Sequence, residues 1–182
     1  DHPGIVEKAK ELALGAVDDI ETARRFFYFA RDGILYNLYE PRSRPEHFRA
    51  SNTLARERGF RVTKAILLAA LARSVGIPAR LGFASIRLHI VPAKLAEILT
   101  TNDLPDHGFA ELFLNGKWVK ATPSFYIGMC RQYNFVPIEF DGKTDARYHP
   151  LTADGRPHIE YLSFKGYFDD VPVEKIVEWI GP

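Results

Sequence analysis

Apolar positions recur at helical spacing from the start of the chain. Pro3 suits a first helical residue, and Ile5, Ala9, Leu12 and Ala13 share one face before Gly15 ends the run. Asp18 or Asp19 is a suitable N-cap for a second helix, and Glu21 adds negative charge to its first turn. Ile20, Ala23, Phe26, Phe27, Ala30 and Ile34 trace that helix's apolar face, and the aromatics between Phe26 and Tyr36 read as core. Pro41 to Arg49 reads as a solvated connector, and Leu54 to Gly59 as a polar approach. A strongly apolar helix follows over about Val62 to Val75, capped by Gly76 and stopped by Pro78.

The period then changes. Ala79 to Ile90 reads as a strand, and Lys94 to Leu99 as a short helix after Pro92. His107–Leu114 and Lys117–Ala121 are strand-like runs joined by Asn115-Gly116, the strongest short-range hairpin signal. Pro137–Asp141 and Ile159–Phe164 read as further strands, and Pro172 and Val173 open a last helix through Trp179. There is no internal repeat and no low-complexity segment. Helices first, antiparallel strands second and a closing helix make an α+β pattern, unlike the alternation of a parallel sheet.

Composition narrows the function classes. The 182 residues suit one domain. With 24 Lys plus Arg against 23 Asp plus Glu, the net charge is +1, which argues against a nucleic-acid binder. The longest apolar run, Ala65–Ala72, falls well short of the roughly 20 residues a membrane span needs, so no membrane partner is expected. The one cysteine, Cys130, excludes an intrachain disulfide framework and is compatible with a reducing, cytoplasmic setting. Asp1-His2-Pro3 carries no secretory signal, and the absence of Met at the start is compatible with a trimmed targeting segment.

The chemistry-bearing segments are Gly59-Phe60-Arg61-Val62-Thr63-Lys64-Ala65, Gly76-Ile77-Pro78-Ala79-Arg80, His107-Gly108-Phe109-Ala110-Glu111 and Gly116-Lys117-Trp118-Val119-Lys120-Ala121-Thr122-Pro123. In this order they resemble the transglutaminase-like superfamily, whose core is shared with papain-like cysteine proteases. The resemblance runs from the second helix to about Phe125, and from Cys130 on the chain resembles an accessory region of one bacterial subgroup. It implies one domain over 1–182, with a core at about 19–125 and accessory strands and helix at about 126–182. The implied fold is N-terminal helices packed on an antiparallel sheet. The implied chemistry is acyl transfer or amide hydrolysis on a peptide or protein, through a cysteine thioester and with no cofactor. In that chemistry a Cys at a helix N-terminus has its thiol pKa lowered by the dipole, a His shuttles the proton, and an Asp fixes the imidazole tautomer.

Only His107 matches that set. The nucleophile position falls on Arg61, a permanent cation with no acceptor, and the Asp position on Thr122, a hydroxyl without charge. Impaired catalysis is therefore expected. The alternatives are a non-catalytic cleft for a peptide or anionic ligand, or an active enzyme using Cys130. Thr63, near the same helix start, is a much weaker nucleophile. Cys130 also reads as an inert buried residue. His2, His47, His89, His149 and His158 show no metal-ligand spacing, so no metal is expected. Trp118 reads as core against the Val62–Val75 helix, and Glu111 as a solvated strand residue that could instead be a cleft carboxylate. The dipole opposes Arg61 at a helix start. Arg61 therefore extends to solvent, replaces a cysteine in a variant chain, or joins the backbone N–H groups in an anion site.

Overall fold

The computed structural model describes residues 2–91, 96, 99 and 101–180. Helix α1 (Pro3–Ala13) and helix α2 (Asp19–Tyr28) form where the apolar spacing predicts them, with Asp18 accepting from the Glu21 N–H at 2.7 Å as the α2 N-cap. The second helical face does not run on to Ile34 as regular α-helix, because a π-helical turn takes over at Phe29–Gly33. The expected connector around Pro41–Arg49 contains a 3₁₀ turn at Pro45–Phe48 that buries Phe48. The expected polar approach begins inside helix α3 (Ala50–Arg56), which ends with Glu57 in a left-handed conformation. A two-residue parallel ladder follows, β1 (Leu35–Tyr36) on β2 (Arg58–Gly59), pairing Tyr36 with Gly59.

Helix α4 (Arg61–Ser74) is buried nearly all round, from Arg61 through Ala69 and again at Leu71 and Ala72. A helix apolar on every side has to lie inside a fold. It packs between α1 and α3 on one side and the sheet on the other. The sheet has four antiparallel strands in the order β5-β4-β3-β6: β3 (Ala79–Leu88), β4 (Asp103–Leu114), β5 (Lys117–Ala121) and β6 (Ile159–Phe168). The hairpin turn has positive φ at Asn115 (48°) and Gly116 (79°), the type I′ geometry that matches strand twist.

Helix α5 (Ile127–Tyr133) precedes an extended segment, and α6 (Val173–Ile180) closes the described chain. The expected strand at Pro137–Asp141 joins no ladder among the described residues. The Ile138 carbonyl accepts from Arg31 at 2.8 Å, the Phe140 N–H donates to the Tyr28 hydroxyl at 3.3 Å, and Phe140 stacks on Phe27. Side chains of α2 and the π turn thus take the place of a neighbouring strand. The helix expected at Lys94–Leu99 lies, apart from Ala96 and Leu99, outside the described residues.

Alternation along β4 decides what each face carries. Gly108 lies against α4: a Cβ there would stand 3.2 Å from the Val62 Cα, so the absent side chain is what lets strand and helix approach. His107 and Phe109 point the other way, and Phe109 lies across Gly82, where a Cβ would come within 2.3 Å of its ring. Trp118 also belongs to this second face. It pairs edge-on with Phe113, is stacked by Arg80, and is 37% exposed, which corrects its expected packing against α4. Glu111 is not a solvated strand residue either. It is buried and bridges Arg80 (2.7 Å) and Lys120 (3.0 Å).

Candidate functional site

The start of α4 is fixed from both sides. The Asn37 N–H donates to the Gly59 carbonyl at 2.9 Å, holding the incoming chain to β1. Thr63 Oγ1 accepts from the Phe60 N–H at 3.1 Å, satisfying a donor that the first turn leaves free. A Cβ on Gly59 would meet Thr63 Oγ1 at 2.5 Å, so the tight entry requires glycine.

Arg61 is the first residue of this helix and is only 2% exposed. Its guanidinium pairs with Asp106, itself buried, and Arg42 stands 4.0 Å from the other Asp106 oxygen. Burial alone disfavours the charged guanidinium. Attraction to Asp106, helped by Tyr36 and Tyr148, outweighs that and holds Arg61 as a cation. The expected alternatives of an Arg61 in solvent or in an anion site of backbone N–H groups are both corrected. The anion is the protein's own carboxylate, from the residue preceding His107. Among the described residues, Arg61 Nε and Nη1 and Asp106 Oδ2 have no partner in normal hydrogen-bond geometry.

Asp106 and His107 are consecutive on β4, so one turns toward Arg61 and the other to the opposite face. His107 is fully buried. Its Nε2 lies 3.3 Å from the Tyr161 hydroxyl, its ring centroid is 4.9 Å from that of Tyr148, and its Nδ1 has no hydrogen-bond partner among the described residues. Burial first, then the charges of Arg61 and Arg147, push its pKa well below the usual histidine value, so the imidazole is neutral at pH 7. Thr122 is also buried. Its N–H donates to the Ala146 carbonyl at 3.1 Å, and its Oγ1 lies near the Tyr161 hydroxyl without a partner in normal geometry. The structure therefore gathers His107 and Thr122 around Tyr161, and brings Arg61 to the residue beside His107.

Cys130 lies elsewhere, on α5. It is buried, its Sγ sits 3.8 Å from the Phe125 carbonyl, and burial pushes its thiol pKa up. The charges acting on it are Arg31, Asp32, Lys64 and Glu139. Lys64 is fully buried on α4, donating to the carbonyls of Arg31 (2.8 Å) and Ile34 (2.7 Å). Desolvation brings its pKa down to about 7, with Asp32 opposing the shift. Among the described residues, no three His, Cys, Asp or Glu side chains gather where they could hold a metal ion, and no helix is long and apolar enough to cross a membrane.

Asp106, Tyr161, Tyr148, Tyr36 and Arg147 were not singled out by sequence reasoning. Asp106 carried one usable signal, a carboxylate directly before the His. The tyrosines look like ordinary strand or loop aromatics and reach the site only through tertiary packing.

The family profile of the Transglutaminase-like superfamily matches residues 6–123, from within α1 to just past β5. The chain belongs to the transglutaminase-like superfamily. The matched span begins earlier than the second helix, where the sequence resemblance starts. The chain is also similar to parts of solved structures. One is a candidate cysteine protease from Cytophaga hutchinsonii, with 16% identity and a TM-score of 0.50 over 66% of this chain and 36% of that one. Another is the periplasmic domain of TgpA from Pseudomonas aeruginosa, with 20% identity and a TM-score of 0.48 over 66% of this chain and 42% of that one. This chain thus spans less than half the length of either neighbour. No curated protein matches the chain.

Proposed function

We propose that this chain is a non-catalytic transglutaminase-like module, one domain over 1–182, in which Arg61 fills the position where the family carries its cysteine. Family chemistry needs a thiolate at the α4 N-terminus, a histidine that can take and return its proton, and a group that orients the histidine. The observation that carries the reading is the buried Arg61–Asp106 pair. The helix terminus that would stabilise a thiolate holds a guanidinium, and that guanidinium is already neutralised. His107 supports it in a second way. A neutral, desolvated imidazole whose Nδ1 has no carboxylate is not poised to become an imidazolium. What the module retains is a family-type cleft for a peptide or protein ligand.

The test restores the thiol. Arg61→Cys alone leaves the Asp106 carboxylate beside the new sulfur, which opposes ionisation. Arg61→Cys/Asp106→Asn removes that charge and leaves Arg42 and the helix dipole to favour thiolate. In the double variant, alkylation of the new thiol against pH is expected to give a pKa below the ordinary value of about 8.5. The wild-type chain is expected to incorporate no fluorescent amine into glutaminyl peptides and to hydrolyse none of them. Turnover by the wild type that disappears in His107→Ala would overturn the reading.

A further inference from the structure

The face of the sheet turned away from α4 carries chemistry that the reading above does not use. A cavity of about 340 Å³ opens there, walled by Phe109, Tyr161, Phe164 and Tyr167, with Lys120 and Arg147 at its edge. Its volume is at the small end of ligand pockets. Phe109 and Tyr161 pack into the protein, but two of the aromatic walls are left in water: Phe164 is 57% exposed and Tyr167 37%. Phe164 and Tyr167 lie 4.8 Å apart at a tilt, and Phe109 meets Tyr167 edge-on at 6.4 Å. Large aromatic side chains left in water around a concavity mark a recognition surface more often than a solvated one.

The cations at the edge differ from one another. Lys120 is held by Glu111 at 3.0 Å and Asp145 at 3.4 Å, and Arg80 by Glu111 at 2.7 Å. Arg147 has no carboxylate partner among the described residues. Its guanidinium stacks on the Tyr161 ring at 4.2 Å and so is held in place at the mouth of the cavity. The patch therefore sets three cations, Arg80, Lys120 and Arg147, against two carboxylates, Glu111 and Asp145, leaving one positive charge unmatched at a fixed position.

We propose that this face binds a small aromatic carboxylate. The ring would lie among Phe109, Phe164 and Tyr167, where offset and edge-on aromatic contacts are available. The carboxylate would meet Arg147, whose planar fork suits bidentate pairing. A single unmatched charge fits a monoanion better than a phosphate, which would demand a second free cation. The proposal does not depend on Arg61 being inert, because every residue in it lies on the face opposite α4. Either reading can fail without the other.

The experiment titrates the protein with 4-phenylbutyrate and follows the backbone amide signals of β6 by NMR. Two analogues run beside it: 4-phenylbutanamide keeps the ring without the charge, and butyrate keeps the charge without the ring. Saturable shifts centred on Phe164 and Tyr167 are expected with 4-phenylbutyrate, and about tenfold weaker binding with either analogue. Arg147→Gln, an exposed substitution that leaves the core intact, is expected to weaken 4-phenylbutyrate about tenfold while leaving 4-phenylbutanamide binding unchanged. Phe164→Ala is expected to weaken both phenyl compounds. The proposal falls if the acid and the amide bind Arg147→Gln and wild type alike. It also falls if a mononucleotide binds more tightly than 4-phenylbutyrate, or if β6 shows no saturable shift up to about 10 mM.

Discussion

A guanidinium taken out of water persists only where an anion meets it. Arg61 and Asp106 satisfy that condition inside the protein, with Arg42 reinforcing the carboxylate from 4.0 Å. Removing one member of a buried pair is far more damaging than replacing both, because the survivor is left uncompensated. Asp106→Ala is therefore expected to destabilise the protein by about 3–5 kcal/mol in urea denaturation, whereas Arg61→Met/Asp106→Leu should lie much closer to wild type. A loss below about 1 kcal/mol in the single variant would mean the pair is not desolvated as described. The sequence made Arg61 conspicuous as a cation at a helix start, yet the partner that explains it lies 45 residues away. Only the packing of β4 on α4 joins them. His107 was legible for the family pattern around it, while its contact with Tyr161, 54 residues on, was not.

Between elements, one buried side chain adds polar bonds to the apolar packing of α4 on the turn after α2. Lys64 reaches back to two carbonyls, those of Arg31 and Ile34, which the π turn and its exit leave open. Its folded pKa of about 7 lies below the ordinary lysine value of 10.5. Between those values the folded state binds fewer protons than the unfolded state, so stability rises with pH. The desolvation penalty is full below pH 7 and fades toward 10.5. Wild type is thus expected to gain on Lys64→Met as pH goes from 7 to 9.5, by roughly 3 kcal/mol at full effect, in denaturation curves at the two pH values. An unchanging difference would place the ammonium in water. The helices and the Asn115-Gly116 hairpin were legible because capping, period and turn chemistry are local. The π turn and the side-chain pairing of Pro137–Asp141 were not, since both depend on what packs across from them.

At the scale of the whole molecule, the sheet separates two kinds of surface. One face is sealed by α4, with α6 packing Trp179 on Phe83 and Phe168. The other presents His107 beneath Tyr148 and Tyr161, and beyond them the open aromatic cavity. The only cysteine belongs to neither. It sits by the turn after α2, among Arg31, Asp32 and Lys64, with its thiolate disfavoured by burial. The fold class was legible from the order of elements. The position of Cys130 was not, because chain order brings it just past the hairpin while packing carries it to α2 and α4. Whether this chain keeps the family frame without a working thiol is decided by the labelling rate of Cys130 with iodoacetamide, read by intact mass. Slow labelling of the native protein, fast labelling after denaturation, and no change in the native rate in His107→Ala are expected. Fast native labelling that is lost in His107→Ala would contradict this, and would make Cys130 the nucleophile of an active enzyme.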